Sequence, residues 1–205
     1  MVSTNVTRQD SAVSRLDRER LQRHRGAVLW LTGLSGAGKS TLANAVEARL
    51  HALGCRTFLL DGDNVRSGLC GDLGFSLADR HENIRRVGEA ARLFLDAGVI
   101  VLCAFISPLK EDRQRARALA PDGDFVEIYC KSPLAVCERR DVKGLYRRAR
   151  AGEIADFTGI TSPYEEPDNP ELVLDTARRS VDECADAVVA RLVAQGTVPV
   201  SLQTA

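Results

Sequence analysis

The chain has 205 residues, which fits one domain that buries most of its apolar surface without outside help. Hydrophobic residues make up 44% and charged residues 27%, so wholesale disorder is excluded. Lys+Arg 28 balance Asp+Glu 28, which disfavours a generic nucleic-acid binder.

Residues 1–25 are polar and end in the run Arg18-Glu19-Arg20-Leu21-Gln22-Arg23-His24-Arg25. This stretch reads as a short helix or flexible arm; Asp17 and Glu19 interrupt its charge and argue against a nucleic-acid arm. It has no apolar signal core, so secretion is not expected. From Gly26 onward, short apolar runs alternate with helix-length amphipathic stretches. Residues 27–32 predict a strand, followed by a Gly-rich turn and a helix from Lys39 to about Leu53, stopped by Gly54. Residues 56–60 and 99–106 predict a second and a third strand. The second of these runs is among the longest apolar stretches, yet far short of the roughly 18 residues that cross a bilayer. Between them, Ser76-Leu77-Ala78-Asp79 predicts an acidic capping box. Ile84, Val87, Ala91 and Leu95 then recur at helical spacing up to Gly98.

Helices are expected over 109–120, 133–141 and 181–194, and strands over 125–130 and 172–174. The strand runs are nearly continuously apolar, as befits strands covered on both faces. Regular alternation predicts one three-layer α/β domain over 26–196, with a mostly parallel, roughly five-stranded sheet. Residues 197–205 are expected to be a flexible tail. The six cysteines, at 55, 70, 103, 130, 137 and 184, include no Cys-x-x-Cys pair. They are expected to be reduced structural thiols in a cytoplasmic protein.

Gly33-Leu34-Ser35-Gly36-Ala37-Gly38-Lys39-Ser40 satisfies G-x-x-x-x-G-K-[ST] between a predicted strand and a predicted helix. Glycines let the backbone curl so that successive N–H groups face phosphate oxygens, and the helix N-terminus adds its dipole. Lys39 is expected to reach the β/γ-phosphates, and the Ser40 hydroxyl to ligate Mg²⁺. The chain is therefore expected to bind a nucleoside triphosphate with magnesium. No Asn-Lys-x-Asp base-reading motif is present, and the third strand ends in Ser107-Pro108 with no carboxylate. Asp61 and Asp63, at the end of the second strand, face the crevice where an acceptor would sit. Either could take a proton from an attacking hydroxyl or help hold metal-bound water. That arrangement favours phosphoryl transfer to a small acceptor over a motor or a switch.

Arg66 lies on the same loop as these carboxylates, and Arg80 and Asn83 share one face of the following helix. Together they suit an anionic acceptor that also carries a hydroxyl or a base. Arg85, Arg86 and Glu89 read as a solvated helix face. Residues 139–150 hold Arg139, Arg140, Lys143, Arg147, Arg148 and Arg150 against Asp141 alone, with Gly144 and Gly152 as bends. This reads as a cationic lid over bound phosphates, extending over about 139–160.

In these blocks and the ones that follow them, the chain closely resembles the adenylylsulfate kinases. The resemblance runs from about Asn5 through Ala194. It rests on residues 33–41, on Asp61-Gly-Asp-Asn-Val-Arg-Ser-Gly-Leu69 and on Arg80-His-Glu-Asn-Ile-Arg-Arg86. It continues through Phe105-Ile-Ser-Pro108, Asp141-Val-Lys-Gly-Leu-Tyr146, Phe157-Thr-Gly-Ile160 and Pro163-Tyr-Glu-Glu-Pro167. It implies a P-loop kinase fold with a helical lid, and transfer of the γ-phosphate of ATP to the 3′-hydroxyl of adenosine 5′-phosphosulfate (APS). It assigns Gly33, Leu34, Ser35, Gly36, Ala37, Gly38, Lys39, Ser40 and Thr41 to ATP, and Ser40 with Asp61 to the metal.

The same resemblance places Arg66, Arg80 and Asn83 against the phosphosulfate and ribose, with Ile106, Ser107 and Lys143 nearby. It makes Phe75 and Phe157 an adenine sandwich and Asp63 the group that orients or deprotonates the 3′-hydroxyl. Ser107 is the family's active-site serine, commonly described as a phosphoserine intermediate. Nothing local supplies a base for it, and direct in-line transfer is the expectation. Arg140 and residues 176–179 are candidates for the ATP adenine. The resemblance also implies a homodimer, and leaves open whether an ATP sulfurylase is a partner. Two rivals stand beside this reading: a kinase for another small acceptor, and a catalytically silent nucleotide-binding regulator. Intact Lys39, Ser40, Asp61 and Asp63 argue against the second.

Overall fold

Five strands, all parallel, form one sheet in the computed structural model, which describes residues 5, 7, 9 and 11–200. They are β1 (Ala27–Thr32), β2 (Thr57–Asp61), β3 (Ile100–Ala104), β4 (Phe125–Lys131) and β5 (Leu172–Asp175), in the order β2-β3-β1-β4-β5. The helices are α1 (Arg15–Gln22), α2 (Lys39–Ala52), α3 (Gly62–Arg66), α4 (Leu77–Asp96), α5 (Lys110–Arg117), α6 (Leu134–Arg140), α7 (Leu145–Arg150) and α8 (Val181–Ala194). β1 is central and wholly buried, so both of its faces are apolar. Ala27, Leu29 and Leu31 pack with residues of α2 and α8, whereas Val28 and Trp30 pack with residues of α4 and α5. That two-residue alternation is the strand pleat, and it makes the three layers.

Trp30 fills the second core between Phe105 and Phe125, at centroid distances of 6.1 and 5.8 Å. α4 and α5 close over it at Gly88, where a Cβ would stand 3.1 Å from a Leu119 methyl. Asp61 pairs in register with Ala104 of β3, which in turn pairs with Leu31 of β1. The carboxyl ends of three strands therefore lie level. β1 is flanked by strands reached in opposite directions along the sheet, which opens a crevice at that level.

The N-terminal segment contains α1, whose Ser14 makes a complete capping box with Asp17. Its basic residues are used internally: Arg15 and Arg25 both bond Asp124, and Arg18 donates to the carbonyl of Asp96. Residues 1–4, 6, 8 and 10 of the expected arm lie outside the described residues. At the other end, Thr197 and Val198, read from sequence as flexible tail, are buried, and Arg25 N–H donates to the Thr197 carbonyl at 2.9 Å. Residues 201–205 lie outside the described residues. The expected acidic capping box of α4 is half formed: Ser76 Oγ accepts from Asp79 N–H and donates to its carboxylate.

All six cysteines are unpaired and buried. Burial pushes the Cys55 thiol up to about 11 and Cys130 to about 12. Nucleophilic thiolate is therefore scarce near neutral pH. Titration with a disulfide reagent at pH 8 should find no rapidly reacting thiol in the native protein and six after denaturation. Rapid stoichiometric reaction of the folded chain would contradict this packing.

Candidate active site

A loop that offers its amides to an anion must have its carbonyls satisfied elsewhere. Between β1 and α2, five consecutive carbonyls have donors behind the loop. Lys39 Nζ donates to Gly33 and Leu34 at 2.9 and 2.8 Å, and the Tyr146 hydroxyl to Ser35 at 2.9 Å. Arg140 donates to Gly36 at 3.1 Å and Thr176 Oγ1 to Ala37 at 2.8 Å. Gly33 has φ +146°, and a Cβ there would lie 2.6 Å from the Cys130 carbonyl. Only glycine lets the loop pass β4 so closely.

Lys39 is 8% exposed. Burial pushes its ammonium down to about 8, although the nearby Asp61 carboxylate opposes the shift. Ser40 Oγ donates to Asp61 Oδ2 at 2.5 Å. This contact joins the phosphate loop to the end of β2, and its hard oxygen donors suit Mg²⁺. Asp61 also caps α3, accepting from Asp63 N–H at 3.1 Å. Asp63 is ion-paired with Lys143, from the turn between α6 and α7.

On the acceptor side, Arg66 donates to the carbonyls of Leu73 and Gly74, and its guanidinium lies 4.4 Å from the Phe75 ring centroid. Arg80 donates to Phe75 O, Thr158 Oγ1 and Asp156 O. Burial lowers its guanidinium from the ordinary value, as expected of a cation set where an anion would compensate it. Asn83 is 4% exposed and its Oδ1 has no partner among the described residues. A buried orphan acceptor of this kind is costly unless a ligand completes it.

Through its bonds to Phe75 O and Thr158 Oγ1, Arg80 joins the segments that carry the two rings of the expected adenine sandwich. Phe75 is 64% exposed, whereas Phe157 is 8% exposed and packs edge-on against Tyr146 at 5.0 Å. Ile106 lends its carbonyl to Thr32 Oγ1 at 2.7 Å. The Ser107 hydroxyl is buried and accepts from the Trp30 indole N–H at 3.1 Å.

The cationic lid is less charged than its own residues suggest. Arg150 pairs with Glu138 and Arg148 with Glu153, both carboxylates lying just outside the counted run. Asp141 instead caps α7, accepting from the N–H groups of Tyr146 and Arg147. Arg140 donates to Thr176 O at 2.6 Å as well as to the phosphate loop, which brings both adenine-side candidates together. Thr41 is exposed at the start of α2. Sequence reasoning missed the supports behind the site: Trp30, Thr32, Arg113 and Tyr164. Of these, only Tyr164 lay inside a motif block.

The family described as adenylylsulphate kinase matches residues 25–175. An adenylyl-sulfate kinase of Acaryochloris marina is 57% identical over 198 residues, covering 97% of both chains. An APS kinase of Mycobacterium tuberculosis, solved in complex with AMPPNP and APS, superposes with TM-score 0.79 at 53% identity, covering 82% of this chain and 98% of that one. A hexameric APS kinase from Thiobacillus denitrificans gives TM-score 0.66 at 33% identity, covering 90% of this chain and 32% of that one.

The buried lysine carries a pH consequence. Triphosphate binds its protonated form, so affinity should fall as pH rises through about 8, and binding near that pH should take up a proton. Calorimetry at pH 8 in buffers of different ionisation enthalpy should give different apparent heats; identical heats would contradict the assignment.

Proposed function

We infer the reaction from one premise: this chain belongs to the adenylylsulphate kinase family. It is an ATP-dependent kinase that phosphorylates the 3′-hydroxyl of adenosine 5′-phosphosulfate, yielding 3′-phosphoadenosine 5′-phosphosulfate and ADP. The observation that carries the reading onto these residues is the Ser40–Asp61 contact, where the phosphate loop meets the carboxylate end of β2.

The triphosphate lies along the amides of residues 33–41, and Lys39 turns from the loop carbonyls to the β/γ-phosphates. Arg140 and Thr176 flank the donor nucleotide. Ser40 and Asp61 would hold Mg²⁺, which supplies charge neutralisation at the phosphate oxygens. APS lies against Arg66, Arg80, Asn83, Ile106 and Ser107, with Phe75 and Phe157 moving onto its adenine. Asp63 accepts the proton as the 3′-oxygen attacks the γ-phosphorus and the bond to the β-phosphate oxygen breaks. Lys143, already paired with Asp63, follows the charge that spreads onto the transferring group. The Trp30-bonded, buried Ser107 hydroxyl supports direct transfer over a phosphoserine intermediate.

The protein acts in the cytoplasm, a reading supported by its six unpaired thiols. Among the described residues no helix is long and apolar enough to cross a membrane. It assembles as a homodimer, for which the exposed Phe58, stacked on Phe94 beside exposed Leu93, supplies an apolar face. APS is supplied by an ATP sulfurylase, as a separate or tethered partner.

Asp63→Asn should lower kcat by roughly 10²-fold or more with little change in the KM for ATP. Ser107→Ala should keep most of its turnover. A fully active Asp63→Asn protein, or radiolabel passing from γ-labelled ATP to Ser107 at the turnover rate, would contradict this mechanism.

A further inference from the structure

Arg113 has no part in the proposed reaction, yet it is among the most deeply buried charges of the described residues. It is 3% exposed, sits on α5 and makes three directional bonds. Nη1 donates to Ser107 O at 2.6 Å, Nη2 to Glu165 O at 2.7 Å, and Nε to Glu127 Oε1 at 2.8 Å. Glu127, on β4, supplies the countercharge. Replacing such a buried pair by apolar side chains is often neutral or stabilising, so its presence points beyond stability.

The two carbonyls it grips belong to the Ser107 turn and to the end of the 157–165 segment, and each of these stretches carries a residue proposed above to touch APS. Ser107 has φ +37°, a conformation that non-glycine residues rarely adopt and that persists only where neighbours over-determine it. Glu165 ends the segment that begins with Phe157 and Thr158. That segment is folded on itself by Phe157 N–H to Thr161 Oγ1 and Gly159 N–H to Ser162 O. Its far end is held by Arg80, the acceptor-side arginine, through Thr158.

Glu165 also answers back. Its N–H donates to Pro108 O at 2.9 Å, and its carboxylate accepts from Lys110 N–H at 2.7 Å. The second bond caps α5, whose own N-cap residue, Leu109, has no side chain able to do so.

We propose that Arg113 is a positioning residue that sets the spacing between the Ser107 turn and the 157–165 segment, and so fixes the acceptor subsite while leaving the donor subsite alone. This rests on the reading of APS as the acceptor. Lysine keeps the charge opposite Glu127 but cannot hold two carbonyls and a carboxylate in one plane.

The test is steady-state ADP release with ATP and APS for Arg113→Lys and Glu165→Ala, with melting temperature followed in parallel. Arg113→Lys should raise the KM for APS by about tenfold or more while the KM for ATP stays within about twofold, since small misplacements at a cleft wall are costly. Glu165→Ala, on an exposed side chain, should shift the KM for APS in the same direction by less. Guanidinium ion added to Arg113→Ala should restore part of the APS affinity. Unchanged KM values despite a lower melting temperature, or equal rises for both substrates, would overturn the proposal. Should Arg113→Lys not fold, Glu127→Gln, which loosens the side chain that orients Arg113, decides in its place: an unchanged KM for APS would overturn the proposal. Wild-type protein without APS-dependent ADP release would overturn the functional reading as well, whereas active wild type with unaltered variants overturns the positioning role only.

Discussion

A phosphate loop can face its amides toward a polyanion only if its carbonyls are held behind it. In this chain that demand reaches across the molecule. The carbonyls of Ser35, Gly36 and Ala37 are held by Tyr146, Arg140 and Thr176, which come from α7, α6 and the turn after β5, while Lys39 of α2 covers Gly33 and Leu34 until a triphosphate draws it away. The helices beside the nucleotide are thus bonded to the loop that binds it. Tyr146 also packs edge-on against Phe157, so one side chain links the donor loop to the acceptor wall. Burial of the tyrosine raises its hydroxyl well above the usual range, keeping it a donor at any physiological pH.

The sheet order explains why the two halves meet. β3 lies between β1 and β2, so the donor loop and the acidic end of β2 stand one strand apart at the same level. Ser40 and Asp61 close that gap. Asp63, two residues on, is placed by the Asp61 cap and faces the cation on the α6–α7 turn. A chain with no net charge thereby concentrates cations and carboxylates around one crevice, where the fields are local and opposed rather than spread over the surface.

Much of this was legible in the amino-acid order because long periodic elements carry redundant signals. α8 matches the expected 181–194, and β1 the expected 27–32, because caps and apolar runs agree there. α3 was not foreseen, and α7 only as part of a helical lid without bounds of its own: five and six residues give too few turns for periodicity, and Asp61 and Asp141 cap them from outside. The lid's charge was counted over 139–150, which leaves out Glu138 and Glu153, the partners of Arg150 and Arg148. Phe75 and Phe157 differ in exposure, one open to solvent and the other packed on Tyr146, a difference the motif blocks did not carry. Arg113 gave no local signal, since its partners stand 6, 14 and 52 residues away. Pairings of that range follow from topology, which a pattern of residue types along a strand or helix does not encode.

In the proposed reaction, donor and acceptor lie side by side in one crevice and the phosphoryl group passes between them without stopping on the protein. The stereochemistry at phosphorus tests it most directly, using ATP made chiral at the γ-position with oxygen isotopes and APS as acceptor. A single in-line displacement predicts inversion of configuration in the 3′-phosphate of the product. Retention would require two displacements through a covalent protein intermediate and would contradict the account.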